Sequence, residues 1–252
     1  MGRLLRTLKN PRRFGEISLC KSATPEWMQL LTAYAGFPFR PFFITLRSGA
    51  FEFRERSDVA TFWQVFFRNV YPLRPTDRLI VDAGANIGVF SLYALLGLPS
   101  CRVIAVEPSN STFERLRATL TQHGVVGRAT LIHAALGSED GTTTIATGGG
   151  SQFRRSGAEG EPVRMLRLES VLPAQGEIDL LKMDIEGAEY DALGAARNEV
   201  LARVRRIALE FHPTRSTTHR WPALKERLTG CGFRLASESV DGGGYGTAEL
   251  ER

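Results

Sequence analysis

The run Asp82-Ala83-Gly84-Ala85-Asn86-Ile87-Gly88 sets an acid, two glycines and an asparagine at the spacing of a tight turn that holds a ligand. Gly84 falls where such a turn needs a dihedral pair closed to other residues, and Gly88 where the following helix would sit close against a sheet. The free N–H groups of the turn would then face the ligand. A dinucleotide pyrophosphate asks for three glycines as G-x-G-x-x-G, and here Asn86 holds the middle place. That weakens the reading of a nicotinamide-dependent oxidoreductase. The D-x-G-x-N-x-G pattern suits S-adenosylmethionine, which carries no phosphate; its methionine end needs a few donors and one acid, which Asp82 could supply.

A second acid extends the pattern. The apolar stretch Arg102 to Val106 ends on Glu107 and Pro108, and a carboxylate at that strand tip can accept both hydroxyls of a ribose. Either acid alone would pass as an ordinary solvated strand end; on adjacent strand tips they form a set, which Pro108 and Ala135, at the end of the next strand, would complete as cofactor-binding residues.

The third cluster is Lys182-Met183-Asp184-Ile185-Glu186-Gly187-Ala188-Glu189, where a strand hands over to a helix. Glu186 and Glu189 can favour the helix N-terminus through its dipole, which leaves Asp184 unexplained. Close like charges would raise one carboxyl toward a useful base, or Asp184 and Glu186 could hold a divalent cation through oxygen ligands. Glu210-Phe211-His212 adds a Glu-x-His at another strand tip, which turns both polar side chains to one side. Methyl transfer to a hydroxyl needs a positioned base, and Asp184, Glu210 and His212, with Lys182 beside them, are the catalytic candidates. His123, His133 and His219 lack such company. The Asn/Asp-Pro-Pro-aromatic run of enzymes that methylate base amines is replaced by Asp184-Ile185-Glu186-Gly187, so nucleic acid is not the expected acceptor.

Elements to position these groups follow from periodicity. Phe42 to Arg54 alternates around Ser48-Gly49 as a hairpin, and Asp58 to Tyr71 reads as an amphipathic helix with Phe62, Val65, Phe66 and Val70 inward. From Asp77 strands alternate with helices: Leu79 to Val81, a helix carrying Phe90 and Leu95, Arg102 to Val106, and a helix with a capping box at Ser111 and Glu114. Ala129 to Ala135, Ile178 to Met183 and Arg206 to Phe211 read as further strands, Ala188 to Ala196 and Trp221 to Leu228 as helices. Phe233 to Ser237 and Gly246 to Leu250 would close as a hairpin. This predicts an α/β fold with a mostly parallel sheet, an antiparallel last strand and helices on both faces, preceded by an extension over residues 1–76. Thr142 to Ala146 reads as extended, and Gly148 to Glu161, with Arg154 and Arg155, as a mobile loop able to close over an anionic substrate.

Composition narrows the class. The 252 residues are 43% hydrophobic, enough for one sizeable core, and the net charge is +5. Arg3, Arg6, Lys9, Arg12 and Arg13 carry that excess, so the body is near neutral, which argues against a nucleic-acid-binding face; the basic start reads first as a solvated, partly disordered segment, with weak contact to an anionic membrane surface or an acidic polymer as the alternative. Cys20, Cys101 and Cys231 are scattered and suggest neither a disulfide framework nor a zinc site, as in a reducing cytoplasm. No apolar stretch has the length of a signal peptide or membrane span.

With Val81 to Gly88, Val106-Glu107-Pro108, Lys182 to Glu189 and Glu210-Phe211-His212 in view, the chain resembles the FkbM family of S-adenosylmethionine-dependent methyltransferases over roughly Asp77 to the C-terminus. The resemblance implies a class I Rossmann-like methyltransferase fold, a seven-stranded sheet and methylation of a hydroxyl on a glycan or small secondary metabolite. It implies that Asp82, Gly84 and Asn86 line the methionine end and that Glu107 meets the ribose. It settles neither the base nor a metal. A protein that keeps the pocket without turnover is the remaining alternative.

Overall fold

Three short apolar runs with few exposed positions, Leu79–Ala83 (β3), Arg102–Glu107 (β4) and Leu180–Met183 (β9), make the centre of a parallel sheet. The computed structural model describes residues 12–145, 160–214 and 220–252. Ahead of the sheet lie α1 (Arg12–Ala23), α2 (Trp27–Tyr34), the hairpin β1 (Phe42–Leu46) and β2 (Gly49–Phe53), and α3 (Arg56–Phe66). Between β3 and β9 come α4 (Val89–Gly97), α5 (Asn110–Gln122), β5 (Ala129–His133), β6 (Ala135–Leu136), β7 (Gly141–Ile145), β8 (Glu161–Leu166) and α6 (Leu168–Val171). The chain ends through α7 (Glu189–Ala195), α8 (Asn198–Leu201), β10 (Arg206–Phe211), α9 (Trp221–Gly230), β11 (Arg234–Val240) and β12 (Gly246–Glu251).

The large sheet has seven strands in the order β11-β12-β10-β9-β3-β4-β5, with β12 antiparallel to both neighbours and β10, β9, β3, β4 and β5 parallel. The chain runs outward from β3 to β5 and returns to β9 beside β3. Strand order therefore reverses between β3 and β9, and the crevice outside their carboxyl ends is where such sheets bind ligands.

Alternation along the strands feeds two apolar layers. Ile80, Val103 and Ala105 pack with α4, α5 and the N-terminal elements, whereas Val81, Ile104 and Val106 pack with α7, α8 and α9. Residues before Asp77 share the first of these cores, through Phe51, Phe53, Phe62 and Trp63. Arg115 on α5 holds Asp58 of α3 at 2.6 Å, and Asp58 also accepts the N–H groups of Arg54 and Glu55. A capping box therefore forms at Glu55 and Asp58. The expected box does not: α5 starts at Asn110, so Ser111 and Glu114 lie inside it, and Glu114 pairs with Arg117 at 3.2 Å.

Two other expectations change. The strand drawn from Ala129 to Ala135 is two strands, because β4 ends at Glu107 opposite His133 and leaves nothing for the chain to pair with beyond it. Ala135 opens a separate three-stranded sheet, β6-β8-β7, that includes an unforeseen strand, Glu161–Leu166; Glu161 therefore belongs to a strand and not to a loop. The helix expected to run to Tyr71 stops at Phe66. Asn69 turns to φ 52° and Pro72 follows, and a residue before proline avoids the helical region. Arg154, Arg155 and His219 lie outside the described residues. Among those described, no helix is long and apolar enough to cross a membrane.

Candidate functional site

The glycine turn after β3 is closed on itself. Gly84 and Ala85 donate their N–H groups to the Val106 carbonyl at 3.0 and 2.9 Å, Asn86 donates to Glu107 Oε2 at 3.0 Å, and Gly88 to the Ala85 carbonyl at 2.9 Å. Ile87 donates to the side-chain Oδ1 of Asn86 at 2.7 Å. The expected row of free turn N–H groups is therefore absent: each from Gly84 to Gly88 has a protein acceptor, and a pyrophosphate would find none. Asn86 takes φ 50°, a left-handed conformation that asparagine tolerates, and its exposed amide nitrogen remains available as a donor.

Gly84 is required by space as well as by its φ of +75°. A Cβ there would stand 1.8 Å from the Asp184 carbonyl oxygen, so the turn after β3 and the end of β9 touch backbone to backbone. Gly88, at φ +87°, instead meets Leu116 of α5, where a Cβ would lie 2.8 Å from Cδ1; its closest packing is against a helix, whereas the motif predicts the sheet.

Asp82 and Lys182 face each other on adjacent strands and are both buried. Lys182 Nζ lies 3.1 Å from Asp82 Oδ1 and donates to the carbonyls of Gly84 at 2.7 Å and Ala83 at 3.3 Å. Ser91 donates to the other Asp82 oxygen at 2.6 Å. Burial alone would lower the Lys182 pKa, but the Asp82 and Asp184 carboxylates hold it above the usual lysine value. The ammonium thus joins one carboxylate and two backbone carbonyls, so Lys182 stitches β9 to β3 and its turn.

Glu107 ends β4 next to that turn. Its two oxygens accept N–H groups from Asn86 and Ser109, each at 3.0 Å, leaving lone pairs for further donors. Burial raises its pKa to about 7, against the pull of those two backbone N–H groups. Pro108 is half-buried, its carbonyl 2.9 Å from His133 Nε2, and Ala135 is buried with Ile145 and Val163 in the small sheet. His133 stacks on Phe113 and buried His123 contacts Ser48 at 2.8 Å, so both are held structurally.

The other flank of the crevice gathers Asp184, Glu210 and His212. His212 Nε2 stands 3.9 Å from Asp184 Oδ1, 3.4 Å from Glu186 Oε2 and 4.0 Å from Glu210 Oε1. Its Nδ1 contacts Glu189 Oε1 at 3.0 Å. Glu189 is fully buried and also accepts the N–H groups of Ile185 and Gly187, so it fastens the Asp184–Glu189 turn, in which Glu186 adopts φ 56°. Although burial opposes it, the bond to Glu189 raises the His212 pKa to about 9. The imidazole holds its proton at neutral pH in this arrangement and is poorly suited to be the base. Burial, then the Asp184 charge, raises the pKa of Glu210.

Tyr71 escapes sequence reasoning. Its hydroxyl donates to Glu210 Oε2 at 3.2 Å, with Asp184 Oδ2 at 3.5 Å. Burial, then the neighbouring Asp184 and Glu210 charges, push its pKa well above the usual tyrosine value, so it stays a neutral donor. Pro72 was the one signal that Tyr71 leaves the helix. An open groove of about 500 Å³ lies at the outer edge of the sheet, lined by Leu131, Ile132, His133 and Pro162 to Arg164. It holds no convergent set of acids, so the chemistry points to the strand tips instead.

A family model described as the methyltransferase FkbM domain matches residues 82–235. The chain is 30% identical over 209 residues to the 31-O-demethyl-FK506 methyltransferase FkbM of Streptomyces tacrolimicus, covering 69% of this chain and 78% of that protein. It is 29% identical over 221 residues to the AMB antimetabolite synthetase AmbE of Pseudomonas aeruginosa, of which it spans only 10%. The crystal structure of a methyltransferase FkbM from Methylobacillus flagellatus shares the fold with a TM-score of 0.54 at 16% identity, over 76% of this chain and 48% of that one.

Proposed function

Because the chain belongs to the FkbM methyltransferase family, we propose that it moves the methyl group of S-adenosylmethionine to a hydroxyl of a small metabolite or glycan. The observation that carries this reading is the pairing, across one turn, of a buried carboxylate at the β4 tip with the Asp184 and Glu210 carboxylates at the β9 and β10 ends. The site suits a positively charged sulfonium, and the spent turn N–H groups weigh against a dinucleotide. In this reading Glu107 accepts the ribose hydroxyls and the Asn86 amide meets the methionine carboxylate. Asp82 and Lys182 act behind them as positioning residues. Gly84 lets the turn reach the acceptor side, and Tyr245, edge-on to His212 with ring centroids 5.4 Å apart, offers the acceptor an aromatic wall.

S-adenosylmethionine supplies an electrophilic methyl group on a positively charged sulfur. The acceptor's hydroxyl oxygen forms the new bond to that methyl carbon as the carbon–sulfur bond breaks, and the bonding pair stays on sulfur. The hydroxyl proton passes to the Asp184 and Glu210 carboxylates, with Tyr71 fixing Glu210. Most of the acceleration would come from alignment. The relative from Streptomyces tacrolimicus is named for an oxygen position, which favours a hydroxyl acceptor here. Transfer from methyl-labelled S-adenosylmethionine into a panel of hydroxylated metabolites and sugars, with the product's new O-methyl group located by NMR, tests the proposal; label found only on nitrogen or carbon would refute it.

Two smaller outcomes follow. Ribose hydroxyls donate to the charged form of Glu107, whose pKa of about 7 in the free protein should fall on binding. Affinity should rise with pH through 7 and fall up to about tenfold per pH unit below it, with proton release measurable by calorimetry in buffers of different ionisation enthalpy. A pH-independent affinity would contradict the role of Glu107. Tyr71→Phe should lower kcat about tenfold or more and leave the affinity for S-adenosylmethionine unchanged, since the hydroxyl contacts with Glu210 and Asp184 are lost while the ring is kept.

A further inference from the structure

We infer that Asp184, Glu210 and His212 together form a binding site for a divalent cation, of the kind that accepts two carboxylates and one imidazole, such as Mn²⁺. One ligand atom from each of the three lies within 4.8 Å of the others. The individual separations around His212 Nε2 are 3.9 Å to Asp184 and 4.0 Å to Glu210. Two ligands bound at about 2.1 Å to one cation stand roughly 3 Å apart at a right angle and about 4.2 Å apart when opposite. The observed spacings fall in that range and exceed a hydrogen bond. A cation there would take the place of the ring proton and of the exposed Glu186 carboxylate, whose Oε2 lies 3.4 Å from Nε2.

The surroundings supply an independent argument. His212 is 7% exposed, and its Nδ1 is fixed by a fully buried glutamate, Glu189, that is itself held by two backbone N–H groups. A carboxylate behind one ring nitrogen aims the other, as it does for histidines that bind metals. Tyr71 does the same from the opposite side. It takes Glu210 Oε2 and approaches Asp184 Oδ2, so that Oε1 and Oδ1 are the oxygens turned toward His212. Three donors thus converge on one point, each backed by a second group. The ligand set differs from the Asp184 and Glu186 pair expected from sequence, because Glu210 and His212 come from β10 and its end, beside β9, whereas Glu186 is exposed at the rim.

The site stands whether or not the chain transfers methyl groups; only its catalytic meaning rests on that reading, in which a cation would favour loss of the acceptor's proton while each carboxylate keeps a second oxygen to receive it. The test is titration of the chelator-stripped full chain with Mn²⁺, followed by the paramagnetic resonance signal of the free ion. One Mn²⁺ per chain is expected, displaced by excess Mg²⁺. Affinity should fall at least about tenfold in Asp184→Asn and in Glu210→Gln, and about tenfold in Glu189→Gln, but be unchanged in Glu114→Gln on the remote face of α5. No uptake by the wild-type chain, or equal uptake by the Asp184 and Glu210 variants, would overturn the inference. Calorimetry of the same preparation with S-adenosylmethionine keeps the two ideas apart: cofactor binding without Mn²⁺ uptake sinks the cation site alone, and Mn²⁺ uptake without cofactor binding sinks the methyl-transfer reading alone.

Discussion

Gly84→Ala is expected to abolish S-adenosylmethionine binding and to lower the melting temperature by about 10 °C. Two costs add. An alanine at φ +75° enters the left-handed region at about 1–2 kcal/mol, and its Cβ would lie 1.8 Å from the Asp184 carbonyl oxygen, which is backbone and cannot swing aside. The turn would have to lift off β9, taking with it the carbonyls of Ala83 and Gly84 that hold Lys182 and the Asn86 N–H that holds Glu107. We expect about 4 kcal/mol of destabilisation in all. Gly124→Ala is the control, because Gly124 has φ +69° with nothing within 4 Å of a Cβ, so it should show the backbone cost of about 1–2 kcal/mol alone. Thermal unfolding and calorimetry of the two variants check this. Equal losses in both would mean that the contact with Asp184 is unimportant.

Lys182→Met should be nearly as damaging. The side chains of Asp82 and Lys182 are 0% and 5% exposed, and removing one partner of such a buried pair costs about 3–5 kcal/mol, chiefly because the other is left as an uncompensated charge. Methionine fills a similar volume, so the loss is electrostatic and not a cavity. The double variant Asp82→Asn with Lys182→Met removes the stranded charge and should recover part of the stability. Cofactor affinity should stay low, since the Ala83 and Gly84 carbonyls no longer have their donor. Chemical denaturation of the four proteins in the cycle measures the coupling. A coupling within about 0.5 kcal/mol of zero would contradict the account of this pair.

What the sequence disclosed was what local patterns encode. Apolar runs of strand length, a turn with glycines at fixed offsets and acids at strand ends showed the parallel sheet and the side chains at its strand tips, including Glu107, Asp184 and the Glu210 to His212 pair. Hidden were contacts that depend on distant partners. Tyr71 meets Asp184 and Glu210 across 113 and 139 residues, and no periodicity announces such a meeting. Glu189 looked like a helix-dipole acid, yet it reaches back to Ile185 and Gly187 and across to His212. Lys182 read as a catalytic candidate, and only the pairing of β9 with β3 reveals that it sits between Asp82 and two carbonyls. The turn's spent N–H groups were illegible for the same reason, because Val106 and Glu107 on the neighbouring strand accept three of them.

The most direct measurement of the central claim is calorimetric titration of the full chain with S-adenosylmethionine, S-adenosylhomocysteine and NAD. The account predicts one site for the first two and none for NAD, loss of that site in Glu107→Ala, and its survival in His212→Ala, whose side chain faces the acceptor. Binding of NAD in preference to S-adenosylmethionine, or undiminished S-adenosylmethionine affinity in Glu107→Ala, would contradict it.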